Sequence, residues 1–334
     1  MKGRNKMNAV LNKLYAHEKL SRSEAKDILL QITEEAFNNI EVASFVTVFN
    51  MRPITVEELT GFRDALLEKC LIPDLRTNEC IDIVGTGGDG KDTFNISTLS
   101  AVVIAGAGYK VLKHGNYSVS SHCGSSNVLE KLGYNFTDNN SELQRQFSEN
   151  NLCFLHAPKF HPAMKCLAPI RKALKVKTFF NMLGPLVNPC QPKYNFLGVF
   201  NKPLSRLYEC ILKGDGKSFS VVYAMDGYDE ISLTGDFLLR TNKGQEVLTP
   251  SDLKMKIYQP SEISGGKTVQ DSADIFVKVL SGAGSDAQND VVAANAGLAI
   301  HTMHPDKSKL DCIDEAMRSI LSKNALNNFK KILN

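Results

Sequence analysis

The sequence predicts an α/β protein in two parts. A small all-helical N-terminal domain covers residues 1–76. A larger domain over 77–334 carries a mostly parallel central sheet flanked by helices. Three observations predict this. Residues 7–70 read as consecutive helices with two capping signals. Residues 71–80, with Pro73 and several polar side chains, read as a linker. From Ile81 onward, short apolar runs alternate with helical stretches, the pattern of parallel strands joined by crossover helices.

In the helical part, Leu11, Leu14 and Tyr15 share a face. Ser21-Arg22-Ser23-Glu24 and Thr55-Val56-Glu57-Glu58 fit the capping box, in which hydroxyl and carboxylate satisfy each other's backbone N–H. Residues 43–51 form an apolar stretch between them. The run Ile81-Asp82-Ile83-Val84 is the first strand. Gly85-Thr86-Gly87-Gly88-Asp89-Gly90 then carries too many glycines for a strand or a helix. The next helix is expected to be capped by Asn95 or Ser97, with Leu99, Val102, Val103 and Gly106 on one face. A second strand over 109–112 ends at Lys113-His114-Gly115-Asn116. Ser118, Ser120, Ser121, Ser125 and Ser126 follow, and a helix runs to a stop at Gly133. Further strands are expected at 152–156, 197–200 and 220–224. Helices are expected at 164–174, carrying Arg171, at 271–280 and 287–301 around Gly282-Ala283-Gly284, and at 312–333.

Composition narrows the class. Of the 334 residues 43% are hydrophobic, enough for sizeable cores, and the net charge is only +3 with no basic run. A dedicated nucleic-acid surface is disfavoured. Eight cysteines at irregular spacing, none in a C-x-x-C pair, read as reduced thiols rather than a disulfide frame or a zinc site. No apolar run reaches the roughly 18 residues that span a bilayer, and the basic N-terminus lacks a following apolar segment. The expectation is a cytoplasmic protein with neither nucleic-acid nor membrane partners.

The glycine loop and the Lys/Ser-rich loop each follow a strand and precede a helix. Bare N–H groups, a helix N-terminus, hydroxyls and a lysine make an anion site, so a phosphorylated ligand is expected. Two familiar motifs nearly match. Gly85, Gly87 and Gly90 satisfy G-x-G-x-x-G, but the second strand ends in Lys113 where a dinucleotide site wants an acid. Gly85, Gly90 and Lys91 fit P-loop spacing, but Asp92 stands where a magnesium-binding hydroxyl belongs.

Gly85-Thr86-Gly87-Gly88-Asp89, Asn95-Ile96-Ser97-Thr98 and Lys113-His114-Gly115-Asn116 resemble the signature loops of the anthranilate phosphoribosyltransferase family. Two further blocks extend the resemblance over nearly the whole chain. One runs from His161-Pro162-Ala163-Met164-Lys165 through Arg171 to Phe180-Asn181-Met182-Leu183-Gly184-Pro185. The other is Asp226-Gly227-Tyr228-Asp229-Glu230-Ile231-Ser232. Alone, Arg171 is an ordinary solvated helix residue and the acidic pair a solvated turn; within these motifs they acquire roles.

The resemblance implies transfer of phosphoribosyl from 5-phosphoribosyl 1-pyrophosphate to the amine of anthranilate, the second step of tryptophan synthesis from chorismate. It implies that backbone donors of Gly88, Asn95, Ile96, Ser97 and Thr98 hold the pyrophosphate, and that Gly85, Asp89 and Thr93 also belong to the substrate site. Lys113, Gly115, Ser118, Ser120, Ser121 and Ser125 would surround the phosphate and ribose. His114, Asn116 and Arg171 would meet anthranilate, with Arg171 on its carboxylate. Asp229 and Glu230 would bind Mg²⁺ and Ser97 a second Mg²⁺, two ions per subunit. The segment 165–190 would pack at a hinge, and the chain would form a homodimer. No general base is nominated, since the aniline nitrogen is uncharged at neutral pH.

The sequence departs from the family pattern in three places. Tyr117 stands where many members have Arg. Ser126-Asn127 replaces Ala-Asp, which puts a loop-ordering hydrogen bond in question. Lys175-Val176-Lys177-Thr178 replaces a Leu-Gly-x-Arg-Thr run. Alternative readings are a pyrimidine nucleoside phosphorylase, or a non-catalytic nucleic-acid-binding relative of the same fold. His156 is expected to be a packed core histidine and His301 and His304 a solvated helix end. His122 and Cys123 carry no assigned role.

Overall fold

Three of the four helices that open the chain start at a capping box. In this computed structural model, which describes residues 2–75, 79–117 and 123–333, they are α1 (Lys2–Tyr15), α2 (Arg22–Thr33), α3 (Asn39–Met51) and α4 (Val56–Glu68). The expected boxes Ser21/Glu24 and Thr55/Glu58 both form. A third at Asn38/Glu41 was not anticipated.

Two compact units emerge: Met1–Ile72 with Pro158–Pro189, and Pro73–Ala157 with Cys190–Asn334. The helical unit thus takes in a stretch that the sequence pattern assigns to the α/β part. Packing explains this. After the single turn α8 (Ala157–Phe160), a 3-10 turn at Pro162–Leu167 leads into α9 (Ala168–Leu174). Phe179 then stacks on Phe62 of α4 with ring centroids 4.4 Å apart and meets Phe45 and Phe49 of α3 edge-on. These buried rings tie residues 158–189 to the helices.

The second unit holds one seven-stranded sheet: β1 (Ile81–Gly85), β2 (Val111–Gly115), β3 (Leu152–His156), β4 (Tyr194–Gly198), β5 (Ser218–Ala224), β6 (Phe237–Thr241) and β7 (Gly244–Leu248). Their order is β3-β2-β1-β4-β5-β6-β7. The first five are parallel and the last two form an antiparallel hairpin. Strand order reverses between β1 and β4, which end together at Gly85 and Gly198. Ligands in open α/β sheets bind at such a reversal, beyond the C-terminal ends of the strands.

Helices α5 (Ile96–Gly106), α6 (Ser125–Lys131), α7 (Asn140–Asn150), α10 (Lys202–Gly214), α11 (Val269–Leu280), α12 (Asp286–Met303), α13 (Lys309–Leu321) and α14 (Asn324–Leu333) accompany the sheet. α5 and α12 are apolar nearly all round and lie in the core. Several expectations need correction. β2 extends through Gly115, so Lys113 and His114 are strand residues. β4 begins at Tyr194, its pattern obscured by the buried Asn195. β6, β7 and α7 were not foreseen. The expected final helix is two, separated where Lys323 takes the left-handed φ of 63°. All eight cysteines are free thiols. Among the described residues no helix is long and apolar enough to cross a membrane.

Candidate active site

The loop after β1 is built by its glycines. Gly87, Gly88 and Gly90 have φ of 67°, 75° and 76°, where a side chain is strained. Asp89 accepts the Lys91 N–H at 3.1 Å and tightens the turn. The loop's exit is pinned by a strap that the sequence did not reveal: Thr93 bridges Ser264, and the Gly265 N–H donates to Asp92 O at 2.9 Å.

α5 begins at Asn95, but not as expected. The Asn95 ψ of 65° turns its side chain away from the helix, and no side-chain cap forms. Its Nδ2 donates instead to Cys123 O at 3.1 Å, joining the glycine loop to the segment before α6. Its Oδ1 is buried with no partner among the described residues. The helix's first free N–H groups go elsewhere: Ser97 N–H donates to Glu230 Oε1 at 2.9 Å. Beside it, Gly87 N–H donates to Asp229 Oδ2 at 2.6 Å. Ile96 and Thr98 have buried side chains, so they offer the site only backbone.

Asp229 and Glu230 reach these donors because β1 and β4 end in glycine. A Cβ on Gly198 would lie 1.6 Å from Asp229 O, and one on Gly85 2.3 Å from Asp229 Oδ2. Gly198 was missed by sequence reasoning; a glycine closing a strand at a topological switch is the signal that marks it. Gly198→Ala is expected to displace residues 229–230 and cost about 1–3 kcal/mol, as overpacking does. Thermal melts with and without Mg²⁺ check it: a variant with wild-type melting and wild-type metal response would refute this role.

Lys113 is fully buried, with Nζ donating to Ile83 O at 2.6 Å and to Ser97 Oγ at 3.3 Å. Burial pushes its pKa down to about 8, against the pull of Asp82, Glu230 and Asp229. Burial and the neighbouring Asp89 raise Asp229 to about 7. Burial, then Asp229 and Asp89, hold Glu230 well above its ordinary value. Asp82, also missed, is buried and accepts the His114 N–H at 3.2 Å. His114 itself is buried rather than looped out.

Asp82, Asp229 and Glu230 surround one buried lysine, and the Gly87 and Ser97 amides hold two of these carboxylates. A polyphosphate comes up to such a carboxylate cluster only with cations. Hard carboxylate oxygens suit Mg²⁺, which keeps waters and phosphate oxygens among its ligands. Among the described residues no three His, Cys, Asp or Glu side chains gather to hold a metal unaided, so a shared protein–phosphate site is what the donor set fits.

Gly115 ends β2 and Asn116 follows it. Asn116 O accepts the Ser125 hydroxyl at 2.9 Å and the Ser126 N–H at 3.2 Å. Asn127 Oδ1 accepts the Gly124 N–H at 3.0 Å, so the hydrogen bond in question at that position is made by the amide. Ser118, Ser120, Ser121 and His122 lie outside the described residues. The Tyr117 hydroxyl donates to Glu130 at 2.7 Å. Gly85, Gly88, Asp89, Thr93, Asn95, Ser97, Lys113, Gly115, Asn116, Ser125, Asp229 and Glu230 all belong to the α/β unit.

Arg171 belongs to the helical unit, on α9. Its guanidinium lies 5.7 Å from the Phe180 ring centre, and burial lowers its pKa. Among the described residues no carboxylate pairs with it. His301 Nδ1 lies 2.9 Å from Lys307 O and His304 tilts against Tyr109, a structural helix end.

Residues 8–70 match the helical bundle domain of a glycosyl transferase family, and residues 77–326 match its a/b domain. Anthranilate phosphoribosyltransferase of Cytophaga hutchinsonii is 54% identical over 97% of this chain and 99% of that protein. The enzyme of that name from Flavobacterium psychrophilum is 50% identical over 98% of each. Among solved structures, anthranilate phosphoribosyltransferase from Thermus thermophilus superposes with TM-score 0.91 at 30% identity, covering 97% of this chain and 98% of that one. The Saccharomyces cerevisiae enzyme in complex with PRPP and Mg gives 0.90 at 27% identity, covering 98% and 96%.

Proposed function

The chain belongs to the anthranilate phosphoribosyltransferase family, and on that premise we propose that it transfers phosphoribosyl from 5-phosphoribosyl 1-pyrophosphate to the anthranilate amine, releasing pyrophosphate. The observation that supports the reading is the cluster at the sheet's switch point, where the Gly87 and Ser97 amides hold Asp229 and Glu230 and the Ser97 hydroxyl meets the buried Lys113.

Asp229 and Glu230 would hold one Mg²⁺ and the Ser97 hydroxyl another, two ions per subunit, and the chemistry these would supply is charge neutralisation and orientation of the leaving pyrophosphate. The chain's own groups do the rest. Backbone N–H groups of Gly88, Asn95 and Thr98 hold the pyrophosphate oxygens, those of Ile96 and Ser97 being taken by Phe94 O and Glu230, and Asp89 and Thr93 shape that loop. Lys113 supplies a fixed positive charge beneath them, so it stabilises charge as it develops without reorganising. Ser118, Ser120, Ser121 and Ser125 surround the phosphate and ribose. His114 and Asn116 contact anthranilate, and the half-buried Arg171 takes its carboxylate through a two-pronged, charge-assisted contact. The amine attacks the ribose C1 as pyrophosphate leaves. Positioning supplies much of the rate.

A homodimer is part of the proposal. On the helical unit, a groove of about 690 Å³ is lined by Leu14, Tyr15, Ile40, Ala43, Val48 and Met51 among others. Tyr15, Ile40 and Met51 are 58%, 79% and 83% exposed. A second copy covering this apolar face accounts for it. Light scattering is expected to give twice the chain mass, and Ile40→Glu a monomer; a monomeric wild type would end the dimer reading.

The test of function is loss of anthranilate fluorescence with phosphoribosyl pyrophosphate, with and without Mg²⁺. Metal-dependent turnover is expected. A folded protein that gave no turnover, yet phosphorolysed uridine or thymidine, would establish the nucleoside phosphorylase alternative instead.

A further inference from the structure

Three side chains converge on one imidazole. His156 ends β3, in register with Gly115 at the end of β2. Its Nδ1 lies 2.8 Å from Ser126 Oγ. Phe136 stacks on the ring, with centroids 4.6 Å apart and planes at 24°. Tyr117 meets it edge-on at 4.8 Å and 81°. Ser126 and His156 are 1% and 6% exposed. A serine paired to a histidine is the pattern of an activated nucleophile, but a hydroxyl this deeply covered has no access to substrate. The pair is a fastening.

What it fastens follows from the chain. Tyr117 is the residue after Asn116, and Ser126 the residue after Ser125. The Ser125 hydroxyl and the Ser126 N–H both donate to Asn116 O. Gly115 lets Ser125 come this near, since a Cβ there would lie 2.7 Å from Ser125 Oγ. Two of the positions where the sequence departs from the family pattern, 117 and 126, therefore share His156 as a neighbour. Tyr117 brings no charge, and its hydroxyl is engaged by Glu130. The cluster arranges its neighbours.

We propose that His156 is a positioning residue for phosphoribosyl pyrophosphate: bonded to Ser126 and packed against Tyr117, it sets where Ser125 and Asn116 stand. This rests on the transferase reading above. Wild-type turnover decides that reading separately, and the ratio of variant to wild type decides this one.

The experiment is steady-state kinetics with both substrates varied, on His156→Phe, His156→Asn, Ser126→Ala and the double variant His156→Phe/Ser126→Ala, each with a melting curve. His156→Phe keeps a ring in the stack and removes the bond to Ser126. It is expected to raise the KM for phosphoribosyl pyrophosphate about fivefold, the size of one neutral hydrogen bond. kcat at saturation should stay within about twofold, since no group touching the reacting atoms is removed. Ser126→Ala should match it. The double variant should be no worse than either single change, because all three remove the same bond. His156→Asn, whose amide can replace Nδ1, should recover most of the affinity. An unchanged KM in His156→Phe, or fully additive losses in the double variant, would overturn the proposal even if melting fell. So would a fall in kcat with KM intact.

Discussion

Asp229→Asn is expected to lower kcat/KM about a thousandfold and abolish the response to Mg²⁺, since several kcal/mol of leaving-group charge then goes unscreened. The same change should raise the melting temperature of the metal-free protein. Asp229 is buried beside Asp89, with its pKa raised to about 7. An acid whose folded pKa exceeds its unfolded one binds more protons in the native state, so stability falls as pH rises through the interval between the two. Metal-free wild type should therefore melt progressively lower as pH climbs from about 4 to 7. The stabilisation by added Mg²⁺ should grow over the same range, because the metal replaces the proton. Asparagine keeps an acceptor for Gly87 N–H and offers Asp89 a donor, without the charge. Melting curves from about pH 4 to 8, with and without Mg²⁺, read both effects. A metal response in the asparagine variant as large as in wild type would remove Asp229 from the metal site.

Arg171→Ala is expected to raise the anthranilate KM about a hundredfold, a loss near 3 kcal/mol for one charge-assisted, two-pronged contact. kcat and the KM for phosphoribosyl pyrophosphate should barely move, because the carboxylate is held alike in ground and transition states. The premise is local: the guanidinium is part-buried over Phe180 and has no carboxylate partner among the described residues. A lysine there restores charge without the planar fork and should recover only part of the affinity. If Arg171→Ala altered kcat while leaving the anthranilate KM alone, Arg171 would not be the carboxylate anchor.

Much of this was written locally in the chain. Capping boxes at Ser21 and Thr55 depend on side chains three residues apart, so they could be read directly. The glycines at 87, 88 and 90 announce a loop because only glycine tolerates their φ values. Apolar runs alternating with helical periodicity announce a parallel sheet.

Other features were decided by contacts distant in sequence. Residues 158–189 join the helical unit because Phe179 finds Phe62 across more than a hundred positions. β2 keeps Lys113 and His114 because neighbouring strands and the buried Asp82 satisfy them there, where propensity alone places a loop. The helix cap expected from Asn95 or Ser97 passes to Glu230, 133 residues from Ser97. Gly198 matters only because Asp229 O crosses its Cα face. The sequence alone determined the fold class, the glycine-rich turn after β1 and the identities of the charged residues, since propensity, turn chemistry and motif spacing act over a few residues. Which donors the carboxylates take, where the Lys113 ammonium is buried and which side chains share His156 were decided by tertiary packing, because burial and charge proximity have no value until distant segments meet.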